Sequence, residues 1–435
     1  MVKASNWRFL FSPSFGLVLQ SLILLVYPCC KFTYATDTLL PGQFLNEKQT
    51  LVSKNGAFKL GFDCSLPQDD TLFCGLGIWL TKSLYCYYDY IPVWLPDLSC
   101  RNCYLSSYNL SVSEEGVLHI SGTDGYHDYF YSLPSSFTTT TSISAIAVLL
   151  DSGNLIIRDQ VNSSMVIWQS FDSPTNVLLS GGYLGFNPTR GKNVSLSSYS
   201  FSFGNWPTYT LSLDAATRKR GFIIQKNPDG PTFAGTFPRW MDIHEDKHYA
   251  LTFNDADTYM YLNRSGFISL VKNGECGSVL WSAPKSACDF DSYCGPYGLC
   301  TLSGSCTCSA GFSGFAPDEW LPTGCPSNEL LDCHNGSFTR REVRFYPIEG
   351  IYRFPANSSS SETRSMEECE ASCLGDCTCT AFAYNATCLL WFQELRNTVV
   401  LDSVSNGSRM YVRSAMRQQN QGSGADPRFT SLKEF

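Results

Sequence analysis

Cysteine is the residue type in this chain whose number and spacing could support covalent or metal chemistry. The chain has 20 cysteines among 435 residues. The pairs Cys306/Cys308 and Cys377/Cys379 have a spacing that could chelate a metal, but an even count behind a secretory leader favours disulfide bonds. We therefore expect neither a metal site nor a cofactor. Eighteen cysteines that follow the leader form three groups of six, which we predict to be disulfide-bonded: Cys64, Cys74, Cys86, Cys100, Cys103 and Cys276; Cys288, Cys294, Cys300, Cys306, Cys308 and Cys325; Cys333, Cys369, Cys373, Cys377, Cys379 and Cys388.

A second motif could in principle bind zinc. His244-Glu245-Asp246-Lys247-His248 matches His-Glu-x-x-His, which binds zinc when both histidines share one face of a helix and the glutamate acts as general base. The flanking residues are strand-like, and on a strand His244 and His248 would lie about 13 Å apart, too far to share a metal ion. We predict a chance match and name no catalytic residue. A secreted zinc hydrolase stays as an alternative that metal analysis would test.

The start of the chain indicates its compartment. Lys3 and Arg8 precede an apolar stretch at 17–26 and small residues around Ala35, the order found in a secretory signal peptide, which we place at residues 1–35. The formal net charge of −8 argues against nucleic acid or an anionic membrane as a partner. Eight Asn-x-Ser/Thr sites agree with a secreted glycoprotein: Asn109, Asn162, Asn193, Asn263, Asn335, Asn357, Asn385 and Asn406.

The elements that must hold these residues are predicted to be mainly strands. Asn55-Gly56, Glu115-Gly116 and the Asp-Ser-Gly-Asn run at 151–154 each precede a short segment of alternating hydrophobicity. A turn followed by a period-two strand is typical of an all-β domain, and three such units suggest a threefold arrangement of sheets. Similar strands continue from 176 to 275, and the run 365–373 predicts a short helix with Ser365 as its N-cap.

Several motifs together resemble one known family. They are Trp-Gln-Ser-Phe-Asp-Ser-Pro-Thr at 168–175, Asp-Ser-Gly-Asn-Leu at 151–155, Cys-Gly-Pro-Tyr-Gly-Leu-Cys at 294–300, the cysteine run at 373–388, and Asp-Thr-Leu-Leu-Pro-Gly-Gln at 37–43. In this order they resemble the extracellular part of the plant S-domain receptor-like kinases, which carry bulb-type (G-type) lectin, EGF-like and PAN/apple modules. The resemblance also extends to the S-locus glycoproteins.

The resemblance implies a mainly β fold. It would consist of tandem β-prism-like bulb lectin domains, a disulfide-rich EGF-like module and an α+β PAN/apple domain, with six cysteines pairing inside each of the last two. The boundaries that we predict are 1–35 for the signal peptide, 36–175 for the bulb-type lectin domain, 176–275 for the second lectin-like (S-locus glycoprotein) domain, 276–326 for the EGF-like module, 327–416 for the PAN/apple domain and 417–435 for a disordered tail.

The lectin resemblance also allows a test for mannose binding. In bulb lectins mannose is held by a Gln-x-Asp-x-Asn-x-Val-x-Tyr strand. Aligned on Asn154, this chain has Leu150, Ser152 and Arg158 at the Gln, Asp and Tyr positions, and keeps only Asn154, with Ile156 for Val. Because each missing acceptor would leave a sugar hydroxyl unpaired, at about 1–3 kcal/mol, we predict that this strand does not bind mannose.

Tyrosines between cysteines provide another candidate surface. Tyr85, Tyr87, Tyr88, Tyr90 and Trp94 crowd between Cys74 and Cys100, and aromatic residues on disulfide-bonded loops give a large contact area at low entropic cost. Packing of alternate tyrosines inside the sheet is the alternative.

We therefore expect a recognition module without enzymatic activity. Its ligand would be an extracellular peptide, glycan or lipid, its partner a second copy or a receptor kinase, and its place the apoplast or the plasma-membrane surface. A full-length family member continues into a transmembrane helix and a kinase, whose sequence motifs this chain lacks. A free secreted lectin or decoy that sequesters its ligand is the alternative function.

Overall fold

A computed structural model of the chain describes residues 36–415, except 47, 69–70, 82–91, 97–107, 123–130, 133–143, 189–190, 199–208, 215, 217–219, 228, 246–249, 273–277, 310–311, 313–323, 326–332, 335–336, 339–342 and 404–406. The predicted signal peptide and the predicted tail at 417–435 lie outside the described residues.

The first part of the chain folds into three four-stranded antiparallel sheets around one core. The first sheet has β1 (Thr38–Leu39), β10 (Ala145–Leu149), β11 (Leu155–Asp159) and β12 (Val166–Gln169); the second has β2 (Phe44–Asn46), β7 (Tyr108–Val112), β8 (Leu118–Gly122) and β9 (Tyr131–Ser132); the third has β3 (Thr50–Val52), β4 (Phe58–Gln68), β5 (Thr71–Leu80) and β6 (Pro92–Trp94). We call this unit the first prism. It confirms the threefold arrangement of sheets predicted from the repeated turns.

The three repeated turns have the same backbone geometry. Gly56, Gly116 and Gly153 have φ angles of +72°, +84° and +82°, in the left-handed region that glycine enters without steric cost. The strands that follow alternate inward and outward, and Leu60, Leu118 and Leu155, one from each sheet, are fully buried in the shared core.

A second prism repeats the design. Its sheets consist of β13 (Val177–Leu178), β22 (Thr258–Leu262), β23 (Ile268–Lys272) and β24 (Val279–Ala283); of β15 (Lys192–Val194), β14 (Tyr183–Asn187), β21 (Ala250–Phe253) and β20 (Ile243–Glu245); and of β16 (Leu196–Ser197), β17 (Tyr209–Leu213), β18 (Gly221–Lys226) and β19 (Thr232–Thr236). Leu184, Leu211 and Met260, again one from each sheet, are fully buried in its core.

The C-terminal part contains one eight-stranded sheet with a helix on it. The strand order is β26 (Cys306–Cys308), β25 (Gly298–Thr301), β33 (Thr398–Val400), β29 (Val343–Arg353), β34 (Ser408–Ala415), β31 (Ala381–Asn385), β32 (Thr387–Trp391) and β30 (Ser359–Ser361). A separate hairpin joins β27 (Cys333–His334) and β28 (Ser337–Phe338). The sheet therefore combines strands from the cysteine-rich segment and from the predicted PAN domain.

Helix α1 (Met366–Gly375) covers one face of this sheet. As predicted, Ser365 is its N-cap and accepts a hydrogen bond from the Glu368 backbone N–H at 3.3 Å. At the other end the buried Arg413 guanidinium donates to the carbonyls of Asp376, at 2.9 Å, and Cys373. Carbonyls at a helix C-terminus lack partners within the helix, so a cation there stabilises it.

The cysteine-rich segment adds strands β25 and β26 to one edge of the C-terminal sheet. Strand β25 pairs in parallel with β33, with Leu299 opposite Thr398, and Leu299 and Phe312 are buried in one cluster with Trp391 and Leu395. In addition to its disulfides, this small segment therefore shares a hydrophobic core and a strand partner with the neighbouring domain.

Candidate functional site

The strand that would carry mannose contacts has its amide turned inward. Asn154 is 7% exposed, and its Oδ1 accepts hydrogen bonds from Ser170 Oγ at 3.1 Å and from the Phe171 backbone N–H at 3.3 Å. Its Nδ2 donates to Gln169 Oε1 at 3.2 Å. Both the oxygen and the nitrogen of the side chain are therefore engaged in hydrogen bonds inside the protein.

An apolar cluster lies on the other face of the same sheet. Ile156, at the position of the motif's valine, clusters with Ile146 and Val148, and Val166 packs against the group. At 5–7% exposed, the three isoleucine and valine side chains of the cluster are buried. The cluster offers no acceptors to sugar hydroxyls, and Arg158, two residues beyond Ile156, is the partly exposed polar residue of this face of β11.

The asparagine belongs to a buried polar network that joins the two prisms. Gln169 Nε2 donates to Asp172 Oδ1 at 2.7 Å, and the hydroxyl of Tyr183, on β14 of the second prism, donates to the same oxygen at 2.9 Å. Asp172 is 7% exposed. We call these residues, with Ser170, the prism-joint network. The motif at 168–175 was a signal for it, but the sequence did not reveal Tyr183 as the partner.

Trp94, one residue of the predicted aromatic face, also belongs to this joint. It is 4% exposed, its indole N–H donates to the Ser173 carbonyl at 3.0 Å, and its ring meets the Trp168 ring edge-on with centroids 5.8 Å apart. The expectation of a surface-exposed binding role is therefore wrong for Trp94, because its indole on β6 is packed inside the core. Tyr85, Tyr87, Tyr88 and Tyr90 lie outside the described residues.

His244 lies on a strand rather than on a helix. It is in β20, and its Nε2 is 3.3 Å from Asp242 Oδ1, with both side chains about two-thirds exposed. His248 lies outside the described residues. Among the residues that the structure describes, no cluster of three or more metal-ligating side chains occurs.

Five disulfides have both cysteines and their pairing defined within the part of the chain that the structure describes. In the cysteine-rich segment they are Cys288–Cys300, Cys294–Cys306 and Cys308–Cys325. In the C-terminal unit they are Cys369–Cys388 and Cys373–Cys379, and Cys377 is also disulfide-bonded. Pairings among Cys64, Cys74, Cys86, Cys100, Cys103, Cys276 and Cys333 stay predictions.

Four predicted glycosylation sites have exposed asparagines, as attachment of a glycan requires: Asn162, Asn193, Asn357 and Asn385. Asn109 and Asn263 are partly exposed. Asn335 and Asn406 lie outside the described residues.

Three family models match the chain in succession. Residues 93–200 match a D-mannose binding lectin model, residues 230–319 an S-locus glycoprotein domain, and residues 333–398 a PAN-like domain. None of the three is a catalytic domain.

Relatives match over most of the chain. One G-type lectin S-receptor-like serine/threonine-protein kinase of Arabidopsis thaliana is 28% identical over 92% of this chain and 50% of its own length. Another from the same plant is 30% identical over 85% of this chain and 47% of its own length. This chain thus spans about half the length of these relatives. In the described residues no helix is long and apolar enough to cross a membrane.

Among solved structures, the chain is similar to a monomeric mannose-binding lectin of Gastrodia elata. That lectin is 23% identical, over 31% of this chain and 96% of its own length, with a TM-score of 0.20. The three family matches and the curated relatives agree with one another. The chain belongs to the S-domain (G-type lectin) receptor-like kinase family and contains its lectin, S-locus glycoprotein and PAN-like portion.

Proposed function

We propose that the chain is an extracellular recognition module that binds a ligand and passes the signal to a kinase. The kinase would belong either to a longer product of the same gene or to a partner receptor. The observation that carries this proposal is the succession of lectin, S-locus glycoprotein and PAN-like matches along one chain, shared with relatives named as receptor-like kinases.

Physical features agree with a binding role. Two prisms and a disulfide-bonded C-terminal unit provide a rigid scaffold from which loops can present side chains, and recognition in such scaffolds resides in loops. The strand that aligns with the mannose motif contributes Asn154 to the prism-joint network. We therefore place the ligand contacts elsewhere than on that strand.

A chimeric receptor tests the function. Residues 36–415 would be fused to the transmembrane helix and kinase of a receptor with a known phosphorylation readout, and the cells treated with fractions of extracellular fluid from the source tissue. We expect at least one fraction to raise kinase phosphorylation, and the chimera with a kinase-dead mutation to stay silent. Failure of every fraction with a correctly folded chimera would contradict the proposal.

The place of the natural protein can be tested separately. An antibody against the first prism would be used to probe membrane and extracellular-fluid fractions after removal of glycans. A band about twice the size of this chain in the membrane fraction would indicate a receptor kinase. A band of this chain's size in the fluid alone would favour a secreted form that acts with a partner.

A further inference from the structure

A loop at one end of the second prism presents a tryptophan to solvent. The Trp240 side chain is 63% exposed, whereas four other tryptophans of the described residues are at most 6% exposed. A large aromatic side chain loses much by standing in water. Its exposed ring face is available for contact with a ligand.

The loop is held in one conformation from beneath. Phe237, Met241 and Ile243 are 2–6% exposed and anchor it to the core. The Arg220 guanidinium donates to three of its carbonyls: that of Pro238 at 2.8 Å, and those of Met241 and Ile243 at 3.2 Å each. A surface fixed in this way loses little conformational entropy when a ligand binds.

Exposed polar residues flank the tryptophan along the chain. Arg239, Asp242, His244 and Glu245 are all exposed, and the Asp242 carboxylate lies 3.3 Å from the His244 imidazole. These groups supply hydrogen-bond donors and acceptors with nearly balanced charge. We call this loop and its flank, 238–245, the tryptophan platform.

We propose that the tryptophan platform binds a neutral glycan, with Trp240 stacked against the apolar face of one pyranose ring. The inference rests on the proposed function and names its ligand class. The ring face of an aromatic side chain is negative, so it attracts the partly positive C–H bonds of a sugar. Arg239, Asp242 and His244 then lie where they can pair with the hydroxyls around the edge of that sugar.

A glycan fits the platform better than a protein does. The centre of a protein interface is a contiguous apolar patch, whereas the exposed residues that flank Trp240 within the platform, Arg239, Asp242, His244 and Glu245, are all polar. One isolated indole bordered by charged groups of both signs instead matches a ligand that has an apolar face and a hydroxylated rim.

Stacking also selects among sugars. A pyranose whose hydroxyls are all equatorial has flat apolar faces, whereas the axial hydroxyl of mannose projects from one of them. We therefore expect β-1,4-linked chains of glucose or N-acetylglucosamine to bind, and mannose chains to bind more weakly.

Calorimetry on the whole secreted chain, with its glycans trimmed, tests the inference. Cellohexaose, chitohexaose and mannohexaose would be titrated into the wild-type protein, Trp240→Ala, Trp240→Phe and the control Phe186→Ala, which removes another exposed aromatic residue of the same prism. Circular dichroism would confirm that each variant is folded. We expect cellohexaose or chitohexaose to bind wild type and control equally, at least tenfold more weakly to Trp240→Ala, and with intermediate affinity to Trp240→Phe.

Equal binding by Trp240→Ala and wild type would overturn the inference, as would binding of mannohexaose alone. So would the absence of binding by all three sugars. If no sugar binds but a fraction of extracellular fluid still activates the chimeric receptor, the glycan inference fails while the proposed function stands.

Discussion

Two joints connect the domains of this molecule, and different interactions hold each of them together. The two prisms share buried apolar side chains, since Val177, Tyr259 and Val271 of the second prism belong to the core cluster of the first. The prism-joint network adds buried hydrogen bonds to this packing, with Asp172 accepting from Gln169 and Tyr183. The second prism, the cysteine-rich segment and the C-terminal unit are connected by a buried aromatic ring and by backbone pairing. The first joint therefore adds a few directional bonds between buried side chains to its apolar packing, whereas the second adds strand pairing, which spreads the free energy over many contacts.

Phe290 is the ring at the second joint. It belongs to the cysteine-rich segment but is 1% exposed inside the core of the second prism, with ring centroids 5.3 Å from Tyr209 and 6.0 Å from Phe233. The next residue, Asp291, donates its backbone N–H to the Thr232 carbonyl at 2.5 Å. The segment therefore inserts into the prism at one end.

At its other end the cysteine-rich segment is joined to the C-terminal sheet. The parallel pairing of β25 with β33 is accompanied by a hydrogen bond from the Tyr297 N–H to the Leu395 carbonyl at 2.7 Å. Arg353, on β29, donates to the Asp289 carboxylate at 3.1 Å and to the Cys288 carbonyl. From these contacts we predict that the second prism, the cysteine-rich segment and the C-terminal unit unfold as one cooperative unit.

The substitution Phe290→Ala should have the largest effect. It removes a fully buried ring and leaves a cavity, which typically costs about 3–5 kcal/mol of unfolding free energy. We expect urea unfolding to show this loss in both the second prism and the C-terminal unit. Phe186→Ala, at an exposed aromatic residue, is the control and should change stability little. A loss confined to one unit would break the comparison.

Asp172→Ala should have a smaller and more local effect. The hydroxyl of Tyr183 and the amide of Gln169 would lose their acceptor in a buried place, at about 1–3 kcal/mol. Asp172→Asn keeps an acceptor oxygen and is the matched control. We expect proteolysis near the prism joint to speed up in the alanine variant, with the C-terminal unit unchanged. Equal destabilisation by both variants would show that charge, rather than the hydrogen bonds, is what matters.

Tyr183→Phe sharpens the same comparison. Only the hydroxyl is lost, so the expected cost is about 1 kcal/mol. In the background of Asp172→Ala the substitution should cost less, because the partner is already gone, and a double-mutant cycle measures that coupling. If the effects of the two substitutions on the free energy of unfolding were fully additive, the hydrogen bond between Tyr183 and Asp172 would not contribute to the connection between the prisms.

The loss of stability of the C-terminal unit at acid pH should be the smallest of the predicted effects. Hydrogen bonds from Thr378, followed by the nearby charge of Arg413, lower the pKa of Asp376. A carboxylate with a lowered pKa adds stability that is present above its unfolded pKa and lost as the pH falls through the folded pKa. The C-terminal unit should therefore lose stability below the ordinary aspartate pKa, and Asp376→Asn should reduce that dependence. If the stability of Asp376→Asn depended on pH in the same way as that of the wild type, the prediction would be wrong.

Local features of the fold could be predicted from the sequence, because turn glycines and period-two strands act within a few residues. The turns at Gly56, Gly116 and Gly153 and the N-cap at Ser365 are examples. Contacts distant in sequence could not be predicted in the same way. Phe290 looked like any aromatic residue in a disulfide-rich segment, because its burial depends on a prism that was completed earlier in the chain.

The candidate site shows the same contrast between local features and contacts distant in sequence. That Asn154 does not bind mannose was inferred from the missing neighbours in its own strand and stays a prediction, whereas its contacts with Gln169 and Ser170 were seen only in the structure. Trp94 was assigned to a surface because neither exposure nor burial can be read from an aromatic residue alone. Trp240 was missed, since only the structure reveals that its side chain stays in solvent.

Native-state hydrogen exchange on the whole secreted chain tests the central claim most directly. The account predicts that amides of the second prism, the cysteine-rich segment and the C-terminal unit share one opening free energy, and that Phe290→Ala lowers all of them together. The first prism should have a different opening free energy that Phe290→Ala leaves unchanged. Independent opening of the C-terminal unit, with protection unaffected by Phe290→Ala, would contradict the account.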